Sequence, residues 1–184
     1  MRIFRSIAVA ALLLVVCTGL SLAQTPTVRI YFDTGLTAQS ENCPPGGGLD
    51  SMFVVAQAFG SLIMGLELAI NFPGTMTWLA DVGTPPVTFG DSPTGISMGW
   101  PVPENAFGRF RAYMVLFTWN CNGCGVTDDP AVVVPNPSTG FVGAASFPTY
   151  QLISAVGMTS LVCATVPVEE TTWGRVKALY SATR

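Results

Sequence analysis

Glycine and proline recur throughout this 184-residue chain, with 19 and 14 copies, and they divide it into short apolar segments. Short segments that are rich in β-branched and aromatic residues and bounded by turn residues are typical of strands. Roughly eight or nine such segments follow residue 24, whereas a nucleotide-binding sheet would also need helices between its strands. The pattern predicts a mainly β fold, an antiparallel β-sandwich.

The clearest strand is residues 65–72, where Leu66, Leu68, Ile70 and Phe72 occupy every second position. A period of two indicates a strand with one buried face. Other strands are predicted at 28–33, 52–59, 75–81, 95–100, 110–119, 131–134, 140–145 and 161–166. Loops are predicted at 37–50 and 83–93, a strand end at Pro101-Val102-Pro103, and either a strand or a helix at 150–158.

The strand predicted at 110–119 is apolar on both of its faces. Alternation places Phe110, Ala112, Met114, Leu116 and Thr118 on one face and Arg111, Tyr113, Val115, Phe117 and Trp119 on the other. Strands of this kind are usually covered on both sides. We therefore expect the facing sheet to cover one side and a loop or helix to cover the other.

The first 23 residues have the features of a cleavable export signal. Arg2 and Arg5 precede the apolar run 7–16, and Ser21-Leu22-Ala23 offers small residues at the cleavage positions. The run is shorter than the roughly 20 residues that a membrane-spanning helix needs. We predict a signal peptide at 1–23, a sandwich domain at 24–166 and a C-terminal segment at 167–184. The mature chain would be secreted, held at the cell surface or periplasmic.

Four cysteines remain in the predicted mature chain: Cys43, Cys121, Cys124 and Cys163. An even number of cysteines in an exported chain predicts two disulfides, and four cysteines allow three connectivities. We favour Cys121 with Cys124 inside one turn, because Asn-Gly lies between them, and Cys43 with Cys163 across the domain. A redox site fits less well because this CxxC follows a strand-like segment and lies among glycine and asparagine instead of opening a helix. A zinc site fits less well because only one CxxC pair is present beside two isolated cysteines.

Residues 169–180 differ from the rest, because acidic residues stand at the start and basic residues near the end, as the helix dipole prefers. Trp173, Val176, Leu179 and Tyr180 recur at helical spacing and form an apolar stripe. The segment predicts a short amphipathic helix. Its stripe would either pack on the sandwich or act as a recognition tag for secretion or for a partner subunit.

The chain contains no histidine, which excludes Ser-His-Asp and Cys-His catalysis and most catalytic zinc sites. After loss of Arg2 and Arg5, six basic residues remain against 11 acidic residues, which disfavours nucleic acid and anionic membranes as partners. No phosphate-binding loop or metal-ligand motif is present, so no metal and no cofactor are predicted. The composition therefore favours binding or assembly over catalysis.

Aromatic residues give an alternative function. Trp78, Trp100, Trp119 and Tyr113 would form a platform for sugar rings if they were exposed together, although packing in the core explains each of them as well. A third function is a carboxylate glycosidase, which requires two acids about 5 to 9 Å apart. The candidate acids are Asp33, Glu41, Asp50, Glu67, Asp81, Asp91, Glu104, Asp128 and Asp129.

The order of an export signal, an extended first strand, a cysteine-bearing loop and many short strands resembles the immunoglobulin-like sandwich modules of secreted Gram-negative bacterial proteins. The tail that contains Trp173-Gly174-Arg175-Val176-Lys177 is similar to terminal segments of such exported proteins. The resemblance implies no catalytic residues. We expect a secreted, non-enzymatic structural or adhesive module that assembles with copies of itself, with other surface proteins or with a glycan.

Overall fold

The computed structural model describes residues 24–44, 46–120 and 129–162. Several predictions from the sequence lie outside these ranges: the export signal, Cys121, Cys124, Cys163 and the C-terminal helix with Trp173, Val176, Leu179 and Tyr180. All regular structure in the described ranges is strand. These ranges hold no helix with the length and apolar character that crossing a membrane requires. The mainly β fold is thereby confirmed.

Thirteen strands are present in the described residues. They are β1 Thr27–Tyr31, β2 Ser40–Glu41, β3 Gly48–Gln57, β4 Leu62–Asn71, β5 Met76–Val82, β6 Val87–Asp91, β7 Gly95–Asn105, β8 Arg109–Trp119, β9 Asp129–Val134, β10 Gly143–Phe147, β11 Leu152–Ser154, β12 Val156–Gly157 and β13 Thr159–Val162. The predicted loop at 37–50 therefore contains β2 and the start of β3, and the segment 150–158 contains the short strands β11 and β12 rather than a helix.

The strands form two sheets that enclose one core. The first sheet has the order β12-β1-β3-β8-β5, and the second has the order β11-β10-β4-β9-β13-β2, with β7 pairing β4 and β6 pairing β7. Val54 and Phe117 from the first sheet pack in the same buried cluster as Leu66 and Ile96 from the second. Burying each such side chain contributes about 1.5–3 kcal/mol. The two layers thus form a sandwich.

Two strand pairs are parallel, so the prediction of a purely antiparallel sandwich is wrong. Residues Thr27 and Val28 of β1 pair with Val156 and Gly157 of β12 in parallel. The other parallel pair is β2 with β13. The sequence carries no sign of this direction, because a strand shows the same alternation whichever way its neighbour runs.

Breaker residues misled the strand prediction around β6 and β7. The predicted loop at 83–93 contains β6, which pairs with β7 in a tight hairpin. The Pro101-Val102-Pro103 segment was predicted to end a strand, yet β7 continues to Asn105. The ladder between β4 and β7 is interrupted there by a bulge, so the prolines need not donate to it.

A bulge also changes the faces of β8. Pairing with β3 passes from Val54 with Tyr113 directly to Val55 with Arg111, which leaves Ala112 as the extra residue. Tyr113 and every second residue up to Trp119 are buried in the core, whereas Arg111 is exposed. Phe110 and Ala112 pack with the same core, so their predicted place on the opposite face from Tyr113 is wrong.

Candidate binding surfaces

The outer surface of the second sheet is built from two rows of residues that face away from the core. We call these rows the open face. The first row runs Val87, Gly99, Gly65, Ala145 and Leu152, and the second runs Phe89, Ser97, Glu67, Gly143 and Ser154. Each row crosses β6, β7, β4, β10 and β11 in that order. In the first row small residues lie between two large apolar ones, and in the second row Phe89 stands at one end and the acidic Glu67 in the middle.

The open face forms a shallow trough. Phe89 and Leu152 are each 71% exposed and Val87 is 52% exposed, which makes them the walls. A cavity of about 170 Å³ lies on the Leu152 side of this trough, and its lining includes Gly65, Ala145 and Phe141 but no residue of β6. Exposed apolar side chains that stand together mark interaction sites far more often than single exposed residues do.

The glycines of the trough floor differ in what surrounds them. A Cβ atom at Gly65 would lie 3.1 Å from the carbonyl oxygen of Met98, so packing of the sheet restricts that position. A Cβ atom at Gly99 would meet only ordinary contacts, the nearest being Val87 at 3.7 Å. Folding therefore does not require glycine at position 99, and its effect there is to keep the floor low.

One carboxylate lies on the open face. Glu67 is half-buried, and its Oε1 accepts a hydrogen bond of 2.6 Å from the hydroxyl of Thr139. Two hydroxyl-bearing residues of the same row, Ser97 and Ser154, flank the middle of the trough. Polar Ser97 and Glu67 thus lie in the middle of the second row, with the exposed apolar Phe89 at one end of it.

The outer surface of the first sheet is also apolar, but the chain itself covers it. Tyr31, Phe53 and Val55 form a second buried cluster there, against which Leu36 and Met114 pack. We call this cluster and the loop 32–39 above it the covered face. Leu36 of this loop packs on the cluster, whereas Met114 of β8 also lines an open cavity of about 280 Å³, so the predicted cover over this side of β8 is only partial.

Two arginines complete the cover. The Arg109 guanidinium lies 5.3 Å from the ring centre of Tyr31, and its Nη1 donates a 2.7 Å hydrogen bond to the carbonyl of Leu36. The Arg111 guanidinium lies 5.4 Å from the ring centre of Phe53. A cation over an aromatic ring contributes about 0.5–1 kcal/mol at such exposed sites.

Asp33 holds the loop of the covered face in shape. Its Oδ1 accepts hydrogen bonds from the backbone N–H groups of Ala38 at 2.6 Å and Thr37 at 2.7 Å, and its Oδ2 accepts one from the Thr37 hydroxyl at 2.8 Å. These bonds, the Ala38 N–H foremost, hold the pKa of Asp33 below its usual value, because they stabilise the ionised form. The loop is thus tied to an ionised carboxylate.

A polar cleft lies between β5 and β6, the edge strands of the two sheets on one side of the sandwich. In the described residues β5 pairs only with β8, and β6 pairs only with β7. The cleft between them, which we call the edge cleft, encloses about 300 Å³. Its lining includes Trp78, Asp81, Thr84 and Asp91.

Asp81 is the centre of a hydrogen-bond network behind the edge cleft. Its Oδ1 accepts from Trp78 Nε1 at 3.1 Å and from Ser92 Oγ at 2.7 Å, and its Oδ2 accepts from the Ser92 N–H at 2.8 Å. Since Ser92 donates its hydroxyl to this carboxylate, Tyr113 donates to Ser92 Oγ across 2.8 Å. Burial, opposed in part by Ser92, raises the pKa of Tyr113 far above its usual value. Tyr113 therefore stays protonated.

The four aromatic residues predicted as a sugar platform do not share one exposed face. Tyr113 and Trp119 are buried, and the Trp119 indole N–H donates to Asp50 at 3.0 Å. Trp100 is half-buried on β7 and packs edge-on against Phe110 at 5.3 Å. Trp78 is half-buried on β5 and is the member of the four that lines the edge cleft.

Cys43, just after β2, is buried and disulfide-bonded. Its bonding partner is outside the described residues. Strands β2 and β13 pair so that Glu41 lies opposite Val162, the residue before Cys163. Among the described residues no group of three or more acidic, cysteine or histidine side chains could hold a metal ion.

The residues of the open face were missed by the sequence reasoning. Phe89 and Val87 lie in a segment that was predicted as a loop, and Leu152 lies in one left open between strand and helix. The floor residues Gly65 and Ala145 come from strands far apart in sequence. Their one sequence signal is that small residues occupy outward positions of predicted strands, which has meaning only once the register is known.

Comparisons with known proteins give little more. No protein-family model matches the chain, and no curated protein matches it either. Among solved structures, the chain is similar to one in the crystal structure of a complex of a CaDoc0917 variant with CaCohA2 at pH 5.5, with 14% identity, a TM-score of 0.49, and coverage of 75% of this chain and 98% of that one. The solution structure of CaCohA2 from Clostridium acetobutylicum gives 13% identity, a TM-score of 0.47, and coverage of 76% and 90%. Likeness at this level implies no shared function.

Proposed function

We propose that this chain is an exported, non-catalytic sandwich module that binds a partner protein through the open face. The observation that carries the proposal is the open face, where exposed Phe89 and Leu152 lie at opposite sides of rows whose middle includes Gly99, Gly65 and Ala145. Exposed apolar patches on a protein surface mark protein–protein interaction sites. The predicted signal at 1–23 supports export, and the lack of histidine in the whole chain supports a role without catalysis.

Binding through a face agrees better with the structure than strand addition at the edge of the first sheet. On β5 a bulge leaves Leu79 as an extra residue, and the next core-side position holds Asp81. Bulges and inward charges on an edge strand hinder pairing with a further strand. Assembly through β5 is therefore disfavoured.

The trough favours a different protein over a second copy of this chain. A two-fold axis brings the same patch of both copies together. Val87 and Leu152 stand at the two ends of the first row. A two-fold axis that lies in the plane of the sheet and passes through the middle of this row would bring the end residues of one copy against the end residues of the other. The small residues in the middle of the two copies would then stay apart. A convex partner fills the trough instead.

The dimensions indicate what kind of element the partner inserts. Neighbouring strands lie about 4.8 Å apart, so β6 to β11 span roughly 19 Å. An α-helix with its side chains is about 10–12 Å wide, which fits between the walls when the helix lies along the strands. Glu67 in the floor would pair with a basic or hydroxyl-bearing residue of that helix.

Photo-crosslinking in cells of the native host tests the proposal directly. A benzophenone amino acid replaces Leu152 in one strain and, as the control, Val156 in another, because Val156 is 50% exposed but lies at β12 in the first sheet. We expect one crosslinked protein of a different sequence from the Leu152 position and none from the Val156 position. Equal products at both positions, or a product made only of this chain, would contradict the proposal.

The identified partner then permits a quantitative test. Gly99→Leu fills the trough floor, and Gly108→Leu is the control, since a Cβ atom at Gly108 meets nothing within 4 Å. We expect Gly99→Leu to weaken binding at least about tenfold, equivalent to about 1.4 kcal/mol, with Gly108→Leu unchanged. Calorimetric titration measures both, and unchanged melting curves show that both variants are folded. Equal affinity of the two variants would refute the role of the trough.

A further inference from the structure

The geometry points to a second, separate site: the edge cleft binds a neutral pyranose unit of a glycan. The site goes beyond the proposed protein-binding function, because it uses β5 and β6 edge residues rather than the outer surface of the second sheet. Its volume of about 300 Å³ is at the small end of the roughly 300–1,000 Å³ of small-ligand sites, which fits a sugar unit.

Trp78 supplies the apolar surface of this site. Trp78 is one of the residues that line the cleft; it also packs against the core, and its indole N–H donates to Asp81, which fixes the ring orientation. The C–H groups of a pyranose ring carry partial positive charge and pack on the electron-rich face of an aromatic ring. A ring whose orientation is already fixed loses little entropy when a sugar stacks on it.

Asp91 and Thr84 supply unused polar groups. Asp91 Oδ1 accepts from both the N–H and the hydroxyl of Thr94, at 2.8 and 2.6 Å, whereas its Oδ2 accepts no hydrogen bond from the described residues. The Thr84 hydroxyl also makes no hydrogen bond to any of the described residues. Sugar hydroxyls both donate and accept, so these two groups match them.

The charge of the cleft selects among sugars. Among the described residues that line the cleft, the two ionisable side chains are the carboxylates Asp81 and Asp91, and none is basic. These two carboxylates would repel a negatively charged sugar bound in the cleft, whereas they would not repel a neutral sugar. A divalent cation is a poorer match, since Asp81 already accepts three hydrogen bonds and the described residues hold no group of three ligands.

Calorimetric titration with neutral and acidic oligosaccharides tests the inference. The mature chain is titrated with cello-, xylo-, manno- and chito-hexaose and, separately, with an oligogalacturonate of six units. We expect at least one neutral hexaose to bind and the acidic one not to bind. Binding is expected to persist in EDTA. Failure of all four neutral sugars, or binding of the acidic one alone, would overturn the inference.

Variants locate the binding. We expect Trp78→Ala to weaken affinity at least about tenfold, Thr84→Val and Asp91→Asn to weaken it several-fold, and Trp100→Ala to leave it unchanged. Asp91→Asn keeps an acceptor for Thr94, and Thr84→Val keeps the shape, so these two report on binding even if Trp78→Ala is unstable. Equal losses in Trp78→Ala and Trp100→Ala would overturn the site. Leu152→Asp should bind the sugar normally, which separates this site from the open face.

Discussion

The outer faces of the two sheets are both apolar, but the described chain buries the large apolar side chains of only one of them. On the covered face Phe53 is 6% exposed, because Leu36 packs against its cluster and the Arg111 guanidinium lies over its ring, while Arg109 lies over the neighbouring Tyr31. On the open face a residue of the same type, Phe89, is 71% exposed. The same sandwich therefore has one outer face whose large aromatic side chains are buried by the chain and one whose aromatic side chain is exposed.

The difference shows what a covering segment contributes. Tyr31 and Phe53 present large rings, which need a cap that can follow their shape, and the loop held by Asp33 provides it. Gly65 and Ala145 present almost no side chain, so a capping element can come close to the sheet. In the described residues Thr139 reaches Glu67 and Phe141 lines the cavity, but Phe89 and Leu152 remain 71% exposed, and this is the surface to which we assign the partner.

The largest expected effect concerns the disulfide next to the covered face. The covering loop is followed by β2 and then by Cys43, so this bond anchors its far end. The register of β2 with β13 supports Cys163 as the bonded residue. Loss of a cross-link that closes so long a loop should lower the free energy of unfolding by about 4–5 kcal/mol. Peptide mapping without reduction checks the pairing, and denaturant unfolding of Cys43→Ser checks the loss.

A control for the disulfide is the Cys43→Ser/Cys163→Ser double variant, which should match the single variant because both lack the same bond. Amide hydrogen exchange should rise mainly in the loop 32–39 and remain unchanged in β10 and β11 of the open face. A Cys43–Cys121 peptide, or equal exchange increases in both faces, would contradict the assignment.

The second prediction compares the two faces by one matched pair of substitutions. Phe53→Ala empties a buried position and should cost about 3–5 kcal/mol of stability. Phe89→Ala removes an exposed ring and should change stability by less than about 0.5 kcal/mol. Urea unfolding of both variants measures the difference. Similar losses in both would mean that Phe89 packs against another part of the chain, and the open face would not be open.

The sequence predicted well those strands whose alternation has a buried side. In β4 the residues Leu66, Leu68 and Ile70 are buried as their spacing predicted. In β6 the apolar residues are the outward ones, Val87 and Phe89, because the pairing with β7 places Thr88 beside inward Met98. Flanked by proline and glycine, this short strand had no core-facing apolar pattern to reveal it.

The sites depend on features that no single segment carries. The extra residue Ala112 shifts the faces of β8 without any change in composition, so alternation alone cannot locate it. Trp119 is buried and Trp78 is only half-buried, although both follow strand-like residues in the sequence. The trough floor exists because register places Gly99, Gly65 and Ala145 side by side on three strands. Register between distant strands is a property of the whole fold.

The smallest expected effect is a pH dependence confined to the covered face. Because the pKa of Asp33 is lowered on folding, its contribution is present above the unfolded pKa of about 3.9 and is lost as pH falls through the folded pKa. Acidification from about pH 5 to about pH 2 should therefore loosen the loop and shift the NMR methyl signals of Leu36, but not those of Leu152. Asp33→Asn should remove the dependence at Leu36, since the residue at 33 no longer titrates. A Leu152 signal that moves in parallel would show that acid acts on the whole sandwich rather than on the loop that covers one face of it.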